Sequence, residues 1–305
     1  MNNKKKNILI IGGTGFIGFH LAKACLAKNF NVFSLSISKP KKIRTLPEVK
    51  YFLGKVENKN SLKKFDKYNF NYVVNCGGYV DHLNKKKTYN SHYKGCKNLY
   101  YYFVKKNLTR FVQIGSSSEY GKSKSPLKED KIYRPIGIYG RAKFLATNFF
   151  IKKNKNNNFP VVILRLFQTF GTNQDSNRFI PFVIKESLLN KTFDCSPCTQ
   201  KRDFLFIDNV VYSIMMALKK DDAVGKILNI GSGRPIMLKK VINKIIKITK
   251  KGKPKFGVIK LRSDENKVIY PNIKKAQKIL GLKTNLNFDT QLKKTINYYK
   301  KILNQ

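Results

Sequence analysis

Acidic side chains are scarce in this chain: 17 Asp and Glu stand against 62 Lys and Arg in 305 residues, a net charge of +45. Arginine is scarce too, with nine Arg beside 53 Lys. A nucleic-acid groove gathers its cations on one face, whereas these lysines are spread over the whole chain. Pairs such as Lys105-Lys106, Lys152-Lys153, Lys219-Lys220 and Lys250-Lys251 close apparent helices, where cations suit the dipole. The distribution reads as solvated faces, so nucleic acid is not the expected partner, although the charge should steer phosphorylated ligands inward. Membrane-spanning runs are missing, since no apolar stretch approaches ~20 residues. Residues 1–6 resemble the basic head of an export signal, but the apolar residues 8–11 are too few to follow it and lead straight into glycines. A cytoplasmic protein is expected. Its cysteines (Cys25, Cys76, Cys96, Cys195 and Cys198) are odd in number and read as reduced thiols. Cys195 and Cys198 have C-x-x-C spacing without a second pair or a histidine cluster, so no metal site is expected.

Residues 7–11 read as a buried parallel strand and residues 19–28 as a helix. Between them lies Gly12-Gly13-Thr14-Gly15-Phe16-Ile17-Gly18, with glycines at G-x-x-G-x-x-G spacing. Such a loop brings backbone N–H groups and a helix N-terminus against a pyrophosphate, so Gly12, Thr14, Gly15, Phe16, Ile17 and Gly18 are candidate dinucleotide contacts. The second strand, residues 31–35, is followed by Ser36 where an NAD site usually offers an acid to the ribose diol. With Lys39, Lys41, Lys42 and Arg44 close behind, Ser36 and Lys39 suit a 2′-phosphate. NADP(H) is favoured and NAD(H) stays open. Strands at 51–53 and 72–75 and a helix at 61–65 continue the alternation. Cys76-Gly77-Gly78 then offers a further close backbone approach, with Gly77 beside the cofactor. A helix over about 85–104 leads to a strand at 111–114, and the next strand is 161–166 after an Asn- and Lys-rich turn at 154–158. Strands and helices alternating without repeats imply an α/β fold with a doubly wound parallel sheet.

The stretch from Gly115 to Lys143 carries the chemistry. It opens as Gly115-Ser116-Ser117-Ser118-Glu119-Tyr120-Gly121 at a strand end and closes on Tyr139-Gly140-Arg141-Ala142-Lys143 in a helical segment. Tyr139 and Lys143, four apart, share a helix face. A phenol, ordinarily titrating near ~10, is a poor base at neutral pH. A neighbouring ammonium favours its ionised form. A strand-end serine could hydrogen-bond the same substrate oxygen while the tyrosine passes a proton. Those are the parts needed to move a hydride to or from a carbinol carbon. Further on, helices are expected after Asn177-Arg178, over 208–218, to about 248, and at 273–280 and 290–302, with a strand at 227–230. The basic residues and loops of this half suggest a smaller unit closing over an anionic ligand.

Taken in order, these motifs resemble the extended short-chain dehydrogenase/reductase family, the nucleotide-sugar epimerases, dehydratases and reductases. Arg165-Leu166-Phe167, Arg202-Asp203-Phe204 and Asn229-Ile230-Gly231-Ser232-Gly233 add to the likeness, which spans essentially the whole chain. The resemblance implies a Rossmann-type domain over 1–166 and a smaller C-terminal α/β substrate-binding domain over 167–305, with residues 204–232 returning to the first. It implies Ser116, Tyr139 and Lys143 as the catalytic set, with Tyr139 and Lys143 also touching the cofactor. Ser117, Asn177, Arg178, Arg202 and Arg262 fall where the family holds the sugar nucleotide, guanidinium being suited to paired phosphate oxygens. Dimerisation through the 85–104 helix and the Tyr139 helix is a further family expectation.

The departures from the pattern are informative. Ser117 and Ser118 stand where the 4,6-dehydratases place an acidic pair or an acid and a lysine, which speaks against dehydration. Lys55, His92 and Gln168 replace a frequent Asp and two frequent Asn. What the resemblance leaves is hydride transfer at sugar C4. An NDP-4-keto-6-deoxyhexose reductase is the favoured expectation, because the serine-rich EYG stretch and the acid-free second strand suit it. A 4-epimerase with retained NAD is the alternative. An RNA-binding protein on the same fold, marked by salt-dependent RNA affinity without turnover, is the alternative of a different class.

Overall fold

In the computed structural model, residues 5–79, 83–131, 133–261, 265–283 and 287–304 are described. The strands are β1 Asn7–Ile11, β2 Asn31–Ser36, β3 Lys50–Leu53, β4 Tyr72–Asn75, β5 Arg110–Ser116, β6 Val161–Leu166, β7 Gln168–Phe170, β8 Thr192–Cys195, β9 Lys201–Phe206, β10 Ile227–Ile230, β11 Pro235–Met237, β12 Lys253–Phe256 and β13 Val268–Ile269. The helices are α1 Phe16–Leu26, α2 Asn60–Lys63, α3 Lys85–Tyr89, α4 Gly95–Phe103, α5 Gly137–Asn157, α6 Phe179–Leu188, α7 Ile207–Lys219, α8 Leu238–Thr249, α9 Lys274–Leu280 and α10 Phe288–Leu303.

Seven strands pair in the order β10-β6-β5-β4-β1-β2-β3, every neighbour parallel. A parallel sheet is covered on both faces, so its strands are buried and mostly apolar; β5 and β6 are buried along their whole length, with Arg110, Gln113, Ser116 and Arg165 as their polar members. Successive side chains alternate between faces. Ile8 and Ile10 therefore join a core with α1 residues such as Leu21 and Cys25 and with Ile214 of α7. Leu9 and Ile11 join the opposite one, with Leu99 and Phe103 of α4 and Phe150 of α5. The strand order reverses between β1 and β4, where a crevice opens at the carboxyl ends of the strands.

The second half supplies smaller sheets. β9 lies between antiparallel β11 and parallel β13 and also pairs with β7, while β8 pairs with β12. Between β9 and β11 the chain returns to the large sheet through β10, whose register sets Asn229 beside Arg165. The architecture is thus the expected α/β one, a Rossmann-like parallel sheet with smaller C-terminal sheets.

Several boundaries differ from expectation. α1 begins at Phe16, three residues early, because Gly15 is its N-cap. The 85–104 helix is broken into α3 and α4 by a wider π-type turn at Asn90–Lys94. The 154–158 turn is mostly the last turn of α5, which ends where Asn158 adopts a left-handed φ of 50°. Lys152 and Lys153 consequently lie inside a helix and do not close one. Among the described residues no helix is long and apolar enough to cross a membrane.

Candidate active site

The chain leaves β1 into a turn that only small residues tolerate. Gly12 has φ +78°, and a Cβ there would lie 2.9 Å from the Gly77 Cα. A Cβ on Gly18 would lie 2.3 Å from the Gly12 carbonyl oxygen. Gly12 donates to the Leu35 carbonyl at 2.8 Å and Gly15 to that of Gly12 at 3.0 Å, which folds the loop back over β2. No side chain caps α1, so the N–H groups of its first turn, which holds Phe16, Ile17 and Gly18, are left for a ligand. A close-packed backbone cradle at a helix N-terminus fits the pyrophosphate of a dinucleotide. Ser36 is buried and its hydroxyl accepts the Thr14 N–H at 3.3 Å, so it braces the glycine loop from the end of β2. Lys39 is exposed just beyond it.

Ser116 ends β5 and caps a short 3₁₀ turn, Ser117–Tyr120. Its hydroxyl accepts the Ser118 N–H at 3.1 Å, and its own N–H donates to Glu119 Oε1 at 2.8 Å, a reciprocal capping box. Glu119 is wholly buried, and its other oxygen accepts from Arg165 Nε at 2.8 Å. The Arg165 guanidinium lies 4.6 Å from the centroid of the Tyr120 ring. The Tyr120 hydroxyl donates to Asn229 Oδ1 at 2.5 Å. Burial raises the Tyr120 phenol well above its ordinary range, so it is a fixed donor and not a titrating one. Asn229 itself donates to the Leu127 carbonyl at 2.9 Å, and its N–H to Glu129 Oε1 at 2.8 Å.

Helix α5 packs straight onto this turn, for a Cβ on Gly140 would lie 2.6 Å from the Ser118 carbonyl oxygen. That close approach carries Tyr139 and Lys143 to the end of β5. Lys143 is buried and donates to the Ile114 carbonyl at 2.8 Å, with its ammonium 6.0 Å from the Tyr139 ring centroid. His92 meets the other side of the tyrosine edge-on, ring centroids 5.0 Å apart. Its Nε2 lies 3.0 Å from the Tyr79 carbonyl oxygen. The imidazole fills the space beside Gly78, where a Cβ would lie 1.8 Å from the ring. Ser116, Tyr139 and Lys143 therefore gather at the β5 end, one strand from the Gly12–Gly77 contact.

The expected substrate residues are more dispersed. Ser117 is half-buried in the 3₁₀ turn, and Asn177 and Arg178 are exposed before α6, which Arg178 caps. Arg202 on β9 is buried and ion-paired with Glu265, with Nη1 also donating to the Lys201 carbonyl at 2.8 Å. Arg262 lies outside the described residues. Asp203, beside Arg202, turns the other way. Its carboxylate accepts the Ser232 N–H at 2.7 Å, the Ser232 hydroxyl at 2.9 Å and the Arg234 N–H at 3.1 Å, and so fixes the Gly231-Ser232-Gly233 turn. Cys195 and Cys198 are buried, and burial pushes the Cys195 thiol up to about 11. The sequence reading quoted Glu119, Asn229 and Asp203 within motifs but gave them no role. The Ser116/Glu119 spacing is a capping-box signature and could have revealed the first.

A model of the NAD dependent epimerase/dehydratase family matches residues 8–231, a span that holds the glycine cradle of the β1–α1 turn and the serine, tyrosine and buried lysine of the β5 end. The chain belongs to this family. It is an enzyme of the family's nucleotide-sugar epimerase and reductase branch. Among its relatives, the dTDP-4-dehydro-6-deoxyglucose reductase of Escherichia coli is 28% identical over 97% of this chain and 98% of its own. The CDP-abequose synthase of Salmonella muenchen is 27% identical, over 87% and 88% of the two chains. The fold superimposes on the UDP-glucose 4-epimerase of Thermotoga maritima, solved with UDP-glucose, with a TM-score of 0.92 at 20% identity, covering 97% of this chain and 99% of that one.

Proposed function

We propose that the protein reduces the C4 ketone of a nucleoside-diphosphate 4-keto-6-deoxyhexose, with NADP(H) as the favoured cofactor. The observation that carries this reading is the joining of Ser116, Tyr139 and Lys143 at the end of β5, with Lys143 held by the Ile114 carbonyl. A reduced nicotinamide dinucleotide held in the cradle of Gly12, Gly15 and Gly18 would supply the hydride. The Ser116 hydroxyl and the Tyr139 phenol hydrogen-bond the ketone oxygen. Tyr139 gives that oxygen its proton as the C–H bond forms. The Lys143 ammonium steadies the phenolate left behind. Ser117 and Ser118 provide neither the acid nor the base that elimination of water needs. The two relatives with reductase and synthase names support the choice.

Arg202, Arg178, Asn177, Ser117 and Arg262 are assigned to the substrate, with the diphosphate displacing Glu265 from Arg202. Residues 1–166 with 204–232 form the cofactor unit and the rest of 167–305 the substrate unit, in a cytoplasmic homodimer paired through the α4 and α5 faces. Tyr101 and Leu145 are exposed there at 55% and 38%.

A second reading, a 4-epimerase that recycles tightly held NAD, is favoured by the carboxylate of Asp175, which already occupies Lys41 at 2.6 Å. Denaturing the purified protein and identifying any released dinucleotide separates the two. Retained NAD⁺ supports the epimerase; an empty site that prefers NADPH supports the reductase. Under either, Tyr139→Phe is expected to lower turnover by about 10²–10⁴-fold. Full activity in that variant overturns the acid/base role.

A further inference from the structure

The cations behind β2 that suit a 2′-phosphate are not disengaged. Lys41 Nζ lies 2.6 Å from Asp175 Oδ1, and Arg44 Nη2 lies 3.0 Å from the same oxygen. Arg44 is buried and donates from Nε to the Asn173 carbonyl at 2.8 Å; the Asn173 amide returns a bond to the Ile43 carbonyl at 2.9 Å. One residue further back, the Thr172 carbonyl accepts from the His20 ring of α1 at 2.9 Å. The 172–175 loop is thus bound to both elements that border the cofactor cradle, α1 and the segment after β2. It also leads into the substrate side, since the Asp175 carbonyl accepts the Arg178 N–H at 3.1 Å.

Resting on the dinucleotide reading above, we infer that Asp175 is a specificity-determining residue that restrains the preference of this site for a 2′-phosphorylated cofactor. The two ends of the cluster differ in strength. The Lys41 side chain is 65% exposed, and a solvated pair of this kind is weak. Arg44 is 3% exposed, so its hold on Asp175 is screened much less. A 2′-phosphate, with more charge and more acceptor oxygens than a carboxylate, takes Lys41 readily. Asp175 stays on Arg44 and leaves its negative charge beside the incoming phosphate. A cofactor with a 2′-hydroxyl meets no such opposition. Asp175→Asn keeps the shape and the backbone bonds of the loop while removing that charge.

The test is fluorescence titration of NADPH and NADH into the emptied protein at low ionic strength. Asp175→Asn is expected to tighten NADPH about tenfold, or ~1.4 kcal/mol, with NADH changed less than twofold. Lys41→Met, an exposed side chain whose loss leaves the fold intact, is expected to weaken NADPH alone. Asp175→Asn binding with an unchanged NADPH-to-NADH ratio overturns the inference and leaves the dinucleotide reading standing. Loss of NADH and NADPH together in Lys41→Met does the same. Binding of neither dinucleotide by the unmodified protein overturns both.

Discussion

The buried Glu119–Arg165 pair gives the sharpest test of how the serine turn is held. At 2.8 Å, with side chains 0% and 3% exposed, the two charges attract by about 6 kcal/mol at an effective dielectric near 20. Removing one partner leaves the other buried and uncompensated, which typically costs ~3–5 kcal/mol. Glu119→Gln is nearly isosteric and its carbonyl still accepts the Ser116 N–H. Its amide, however, points a second donor at the Arg165 guanidinium. Arg165→Met keeps much of the volume but leaves the carboxylate with the Ser116 N–H alone and removes the cation over Tyr120. Each single variant should therefore lose ~3 kcal/mol or more. In the double variant neither charge remains, so it should lose clearly less than the sum.

A double-mutant cycle by urea unfolding at neutral pH reads this directly, with an expected coupling near ~3 kcal/mol. A typical domain stability of ~5–15 kcal/mol leaves each single variant folded or nearly so. Coupling within ~0.5 kcal/mol of zero would show that the turn does not depend on this pair and that the capping box alone suffices.

Two further outcomes are expected. Burial lifts the Asp203 carboxyl from 3.8 to about 6, against its hydrogen bonds from Ser232 and Arg234. The folded chain then keeps this proton to higher pH than the unfolded one, so the contribution is full below ~4 and lost as pH rises through ~6, about 3 kcal/mol in all. Urea unfolding from pH 4 to 7 should show the wild type falling relative to Asp203→Asn; a flat or rising difference refutes the assignment. Gly18→Ala drives a Cβ to 2.3 Å from the Gly12 carbonyl oxygen and must open the cradle. Dinucleotide affinity should drop at least ~10-fold by titration, by analogy with the cost of forcing atoms into a packed site. Unchanged affinity would mean that the loop does not hold the pyrophosphate.

What was legible in the sequence follows from how far apart the cooperating residues lie. Strands at 72–75, 161–166 and 227–230 were readable to the residue because a parallel strand buried on both faces is a short, bounded apolar run. The end of α5 was not, since Asn and Lys look alike in a turn and on a solvated helix face, and only Asn158 in its left-handed conformation closes the helix. The π-type turn at Asn90–Lys94 has no periodic signal of its own. In the site, Tyr139 and Lys143 were visible because four residues make one helical turn. Glu119 with Arg165 and Tyr120 with Asn229 are separated by 46 and 109 residues, and nothing local announces such pairs. Their motifs were recognisable while their roles were not.

The roles share one cause. In a chain with 17 acids among 62 bases, a lysine carries little information, whereas a carboxylate held close to a cation or to backbone N–H groups has a geometric reason to be there. Glu119 holds the N–H of Ser116, Asp203 holds the turn after β10, Glu265 covers Arg202, and Asp175 ties the β2 cations to the loop before α6. Each lies where one part of the expected site meets another. Lysines spread over the whole chain do not single out a site, whereas the few acids set which cations an anionic ligand would find already paired: Lys41 and Arg44 by Asp175, Arg202 by Glu265. The acids are therefore where changes in specificity between this protein and its relatives should first be sought.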